Sequence, residues 1–174
     1  MKQIAKYFIV LLVLTTGGWL ITHIVKAYQV KNEIENRIQT LQHYSFKSTN
    51  GNEVFVDSFN PQLYTVIVYF HPECEHCQYE ASQIGLNAPL FEKANMILIT
   101  PDDSLKRVDD FAIRYHLWEV DNLTILVDEN NRFSSYFGTS VIPSVFIYGI
   151  DKRLLKMFKG EVKIKMVLDL IHSG

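Results

Sequence analysis

Val66-Ile67-Val68-Tyr69-Phe70-His71-Pro72-Glu73-Cys74-Glu75-His76-Cys77 decides how the rest of this chain reads. An apolar, β-branched run ends at two cysteines three positions apart, and a helical pattern starts behind them. No other cysteine occurs in the 174 residues, so the pair is not one staple among several. A Cys-x-x-Cys pair between a strand and a helix reads as a thiol–disulfide redox site. As a permanent crosslink so short a loop would gain little stabilisation from closure.

The chemistry follows from position. The first cysteine falls where a helix begins, and unpaired amide N–H groups there favour negative charge. A thiolate is such a charge, so Cys74 is expected to ionise easily and attack a substrate disulfide. Cys77, one turn on, is placed to resolve the mixed intermediate. His76 lies between them, and its imidazole is expected to stabilise the thiolate when protonated, against the like charges of Glu73 and Glu75. The direction of electron flow depends on relative reduction potentials.

His71, Cys74, His76 and Cys77 also admit a metal reading, as sulfur and imidazole suit Cu(I) or zinc. A tetrahedral site usually draws ligands from two separated elements, and no second Cys-x-x-Cys exists. His116, beside Leu117 and Trp118, reads more simply as a helix-end residue. No metal and no cofactor is therefore assigned, and no nucleotide-binding glycine pattern is found.

Outward from this centre, strands alternate with helices. Tyr44–Lys47 and Val54–Val56 flank Asn50-Gly51, a hairpin signal. Thr65–Phe70 reads as a strand buried on both faces. Glu75 to about Glu92 reads as a helix disturbed by Pro89, and Asn95–Thr100 as a strand. A helix carrying Leu105, Val108, Phe111, Ala112 and Tyr115 follows Pro101-Asp102-Asp103-Ser104. Strand Leu123–Val127, a short helix near Arg132–Phe137, strands Ser144–Tyr148 and Leu154–Phe158, and helix Glu161–Ile171 complete the chain. The fold class is α/β, a central mixed sheet with helices on both faces. Ile142-Pro143-Ser144 needs an explanation at a strand start. Pro143 is either an ordinary turn or a cis residue that sets the Ile142 backbone beside the cysteines.

The N-terminus reads differently. Tyr7–Val25 is an apolar run of helix-spanning length, with Gly17-Gly18 inside and Tyr7 and Trp19 toward its ends. Residues 1–27 are expected to form a transmembrane helix, retained as an anchor rather than cleaved after Val25-Lys26-Ala27. Residues 28–43, with Val30, Ile34, Ile38 and Leu41 at helical spacing, are expected to form a stalk, and residues 44–174 the domain. Protein disulfides are handled mainly outside the cytosol, which places the domain on the extracytoplasmic (periplasmic) side of a single-pass protein. Charged residues make up 21% and hydrophobic ones 48%, with a formal net charge of -2 and no basic block. A nucleic-acid partner is excluded on that ground.

The Asn50-Gly51 hairpin, the strand into His71-Pro72-Glu73-Cys74-Glu75-His76-Cys77, the stretch from Leu123 to Tyr148 and the Met157-Phe158-Lys159-Gly160 ending together carry a resemblance. Over residues 44–172 the chain resembles the thioredoxin-like superfamily, in particular membrane-anchored, extracytoplasmic TlpA/ResA-like or AhpC/TSA-type redoxins. The resemblance implies an attacking Cys74, a resolving Cys77 and a cis-proline at Pro143. The family often has tryptophan ahead of its motif where this chain has His71-Pro72-Glu73, and a C-P-x-C proline where it has Glu75. The peroxiredoxin threonine and lone peroxidatic cysteine are absent, which argues against peroxide as main substrate. A membrane-tethered oxidoreductase is implied, reducing rather than oxidising its clients, with apocytochrome c among the candidates. Its partners would be proteins bearing disulfides or thiols, a membrane electron-donor protein, and lipid through the N-terminal helix. Two further readings from other classes are a Cu(I)- or zinc-binding accessory protein and a non-catalytic interaction module.

Overall fold

In the computed structural model, two kinds of sequence period produce two kinds of element. The structure describes residues 2–172; the side chains of residues 2, 4, 5, 8–11 and 13 lie outside the description. The chain divides into two units, Met1–Asn36 and Arg37–Gly174.

The first unit is helical. Helix α1 (Lys2–Arg37) runs for 36 residues without a break. Thr15-Thr16-Gly17-Gly18 and Thr22-His23 interrupt its apolar run, and the Thr15 and Thr22 hydroxyls donate back to the Leu12 and Trp19 carbonyls at 3.0 and 2.7 Å. Its later turns carry Lys26, Lys31, Glu33 and Glu35. Among the described residues no helix is long and apolar enough to cross a membrane. That finding corrects the expected transmembrane anchor. With it fall the tether, the lipid and membrane-donor partners, and the single-pass topology in which the domain was set on the extracytoplasmic side of a membrane.

Residues 38–43 also depart from the helical reading. Ile38 and Leu41 are buried. Thr40 bridges Arg153, Leu41 N–H donates to the Lys152 carbonyl, and Leu154 N–H donates to the Gln39 carbonyl. Backbone pairing has overridden helical spacing here.

The second unit is built on a seven-stranded sheet. Its strands are β1 (Ser45–Ser48), β2 (Glu53–Phe55), β3 (Tyr64–Tyr69), β4 (Ala94–Thr100), β5 (Leu123–Val127), β6 (Ser144–Tyr148) and β7 (Leu154–Lys159). Their order is β2-β1-β5-β4-β3-β6-β7. Strands β3, β4 and β5 are parallel, and the flanking strands are antiparallel to their neighbours. The parallel centre reads as unbroken apolar sequence because both its faces are covered: every residue of β4 is buried.

Helices α2 (Glu75–Leu86), α3 (Leu105–Arg114), α4 (Phe133–Phe137) and α5 (Ile164–His172) accompany the sheet. Helix α2 stops at Leu86, and Pro89 sits in a separate 3-10 turn, Ala88–Phe91, because proline lacks the donor that would continue the helix. The main core packs α2, α3 and α5 side chains such as Ile84, Phe111 and Val167 against Val66, Leu98 and Ile147 of the sheet. Each such buried apolar side chain is worth roughly 2 kcal/mol in transfer free energy.

Candidate active site

Strand register assembles the site. Tyr69 pairs with Ile99 in the parallel ladder and with Ser144 in the antiparallel one. The turn after β3, the turn after β4 and the residue before β6 therefore emerge at one edge of the sheet, beyond the carboxyl ends of its parallel strands. That edge is where open α/β sheets place their ligand sites. The three segments carry His71 to Cys74, Asp102 and Pro143.

Cys74 caps α2 in an extended conformation, and its carbonyl accepts the Gln78 N–H at 2.9 Å. It is half-buried, whereas Cys77 is 2% exposed. Burial pushes the Cys77 thiol well above its usual range. A hydrogen bond from the His71 main chain offsets this in part, while Cys74 and the Glu80 charge add to it. The sulfurs share a hydrogen bond that keeps the proton on Cys77. The pair is thus asymmetric: one sulfur at the rim, the other buried and protonated.

The Ile142-Pro143 peptide bond is cis. The Pro143 carbonyl accepts the Gly160 N–H at 2.8 Å, and Gly160 holds φ +90, which favours glycine. His76 lies between the cysteines in sequence, and its imidazole is paired with Glu161, Nδ1 standing 2.5 Å from Oε2. His71 flanks the turn. His116 does not join the site; it packs by Gly85 near the far end of α2 and pairs with Glu119 at 2.8 Å. Among the described residues no three His, Cys, Asp or Glu side chains are grouped to hold a metal ion.

One residue escaped the sequence reading. Glu80, on α2 one turn beyond Cys77, is 5% exposed, and its Oε1 accepts the Val162 N–H at 2.7 Å. Burial raises its carboxyl to about 7; the Val162 hydrogen bond and His76 oppose the rise, and Glu161 adds to it. The available signal was an acidic residue on the helix face shared by Cys77, Ala81 and Ile84, where apolar side chains were expected. Beside the turn before Cys74 lies a polar cavity of about 220 Å³, lined by Pro72, Glu73, Gln78, Arg107, Asp110, Phe111 and Arg114.

Solved structures share this architecture. A Mycobacterium tuberculosis DsbF, seen in mixed oxidised and reduced forms, matches at 18% identity and TM-score 0.64, over 79% of this chain and 96% of its own. A secreted disulfide oxidoreductase of the same organism, described as homologous to E. coli DsbE, matches at 15% and 0.65, over 80% and 98%. A putative thioredoxin from Neisseria meningitidis matches at 22% and 0.64, over 78% and 89%. At these identities the likeness establishes the fold, which is thioredoxin-like. No curated protein matches in sequence. The AhpC/TSA family profile matches residues 38–157, more than half of the chain. The family expected from the sequence motifs is therefore retained, and its membrane-anchored branch is not. With a Cys-x-x-Cys pair at the head of α2 the protein is a thiol–disulfide oxidoreductase, and the chain belongs to the AhpC/TSA family.

Proposed function

We propose that Cys74 and Cys77 carry electrons to disulfides of client proteins, with Glu80 taking the proton that Cys77 must lose. The Cys74 thiolate attacks one sulfur of the client disulfide, forming a mixed disulfide and expelling the other client sulfur as a thiolate. Cys77 then loses its proton and attacks the Cys74 sulfur. The Cys74–Cys77 disulfide closes, the second client thiolate leaves, and the client has gained two electrons. A dithiol donor protein must reduce the pair again.

The observation that carries this reading is the asymmetric pair beside Glu80. The rim sulfur at a helix N-terminus suits attack. The buried one cannot attack until a base takes its proton, and a carboxyl that titrates near neutrality is matched to that task. The Pro143 segment, beside the same turn, is positioned to meet an extended client chain.

Three charges support the reducing direction. An oxidant of this kind owes its potential to a stabilised reduced form. Here the His76 imidazole is engaged by Glu161, and Glu73 and Glu75 bring negative charge to either side of Cys74. The test has two arms. Cys77→Ser should accumulate a mixed disulfide with a disulfide-bearing client, and Cys74→Ser should form none. The reduction potential of the parent should lie nearer about -270 mV than about -120 mV. Absence of the adduct would sink the mechanism, and a value at the upper end would reverse its direction.

A further inference from the structure

His71 stands outside the electron transfer just described, yet contacts from three sides converge on it. Its carbonyl accepts the Cys74 N–H at 3.0 Å, and its main chain reaches the Cys77 sulfur. Its Nδ1 accepts the Glu73 N–H at 3.2 Å. Its Nε2 lies 3.8 Å from Asp102 Oδ2. Asp102 is buried and gripped by Arg107, Nε to Oδ2 at 2.6 Å and Nη2 to Oδ1 at 3.1 Å, while Ser104 N–H donates to Oδ1 at 2.9 Å. Arg107 Nη1 then reaches Glu73 Oε1 at 3.4 Å and closes the circuit back onto the turn.

A side chain that accepts the N–H two residues ahead does what asparagine and aspartate do in an Asx turn. Here an imidazole does it. A ring nitrogen that accepts an N–H carries no proton, so neutral His71 holds its hydrogen on Nε2, toward Asp102. Burial alone would raise the Asp102 carboxyl, but the Arg107 guanidinium and the Ser104 N–H hold it below the usual carboxylate range. It is therefore an ionised anchor for the ring.

The geometry points to His71 as a positioning residue: clamped by Asp102 and Arg107, its imidazole fixes the Glu73 main chain and so sets where Cys74 stands at the head of α2. This inference rests on Cys74 being the attacking thiol. Without the acceptor, the Glu73 N–H turns to water, the turn gains freedom, and Cys74 loses its fixed place against the helix amides.

His71→Leu removes the acceptor, whereas His71→Asn supplies an oxygen for the same bond without an Nε2. In the full chain at pH 7, the iodoacetamide rate at Cys74 should fall about fivefold in His71→Leu, the worth of roughly one net hydrogen bond. His71→Asn should recover most of that loss. The redox equilibrium of the pair against dithiothreitol should move in His71→Leu and return in His71→Asn. Nitrogen-15 NMR of the parent should show His71 as the Nε2–H tautomer. A parental rate in His71→Leu, or an Nδ1–H tautomer, overturns the proposal. Should His71→Leu not fold, the tautomer and the His71→Asn rate decide, a rate about fivefold low counting against it. Failure of the dithiol reading itself would show separately, as no mixed disulfide in Cys77→Ser.

Discussion

Glu80 Oε1 accepts the Val162 N–H at 2.7 Å across 82 positions of sequence, tying the buried face of α2 to the loop between β7 and α5. The same loop gives its Gly160 N–H to the Pro143 carbonyl and its Glu161 carboxylate to His76. Three residues thus touch the cis-proline segment, the helix start and the buried acid. A change in the charge of Glu80 is felt where Cys77 sits and where the loop is held.

Glu80 should make stability depend on pH. Its carboxyl stands at about 7 in the folded chain against an ordinary 4.5. Below about 4.5 both states hold the proton and burial carries no ionisation cost. Above that the unfolded chain ionises first, so stability falls with rising pH until about 7, where the folded carboxyl ionises too. The rise is worth about 3 kcal/mol. Urea unfolding at pH 5 and pH 8 should show the parent losing much of this, with Glu80→Gln nearly flat over the window. Equal slopes for the two proteins would refute the assignment. In the same variant the release of client from the mixed disulfide should slow at neutral pH.

The two thiols should differ sharply toward alkylating agents. Cys77 is buried and its thiol is held protonated, whereas Cys74 is half-exposed at the helix start. Brief iodoacetamide treatment of the reduced protein at pH 7, followed by peptide mass mapping, should label Cys74 and leave Cys77 at least about tenfold less modified. Equal labelling would remove the asymmetry on which the order of attack depends.

Gly85→Ala tests the packing that fixes α2. In an exposed helix this change stabilises by about 1 kcal/mol. Here an added Cβ would stand 1.9 Å from the Tyr115 carbonyl oxygen, so the turn after α3 must move. Destabilisation of about 1–3 kcal/mol is expected, read as a lower denaturant midpoint. A raised midpoint would show that the approach of α2 to that turn is looser than described.

What the sequence disclosed was what depends on local period. The strand into Cys74 follows from its unbroken apolar run, the Asn50-Gly51 hairpin from alternation about a turn, and the helix after Ser104 from period and capping; Ser104 does cap α3 by accepting the Arg107 N–H. Glu80 was missed because periodicity reveals a helix face but not the lone N–H, Val162's, that makes a buried carboxylate tolerable there. The Asp102–Arg107 grip on His71 was hidden for a similar reason, since it depends on the register of β3 and β4. Ile38 and Leu41 keep helical spacing, yet the backbone of Gln39, Thr40 and Leu41 pairs with the β6–β7 turn, because unpaired backbone outweighs a short helical preference. The N-terminal run misled through its length: threonine, glycine and histidine within it dilute the apolar character that length alone suggests.

Glu161 and His76 should shift Glu80 in opposite directions. Both are substantially exposed, so breaking their ion pair should change stability by less than about 1 kcal/mol. Their charges nevertheless reach Glu80: Glu161 raises its carboxyl and His76 lowers it. Glu161→Gln removes the negative neighbour and should lower the Glu80 midpoint from about 7. His76→Gln removes the positive neighbour and should raise it. Carbon-13 NMR of the Glu80 carboxyl across pH 5 to 9 reads the midpoint directly, and the pH profile of the Cys77 resolving step should follow it in each variant. Shifts of the same sign, or none, would mean that the buried acid is set by its own burial alone and that the surface pair has no part in tuning it.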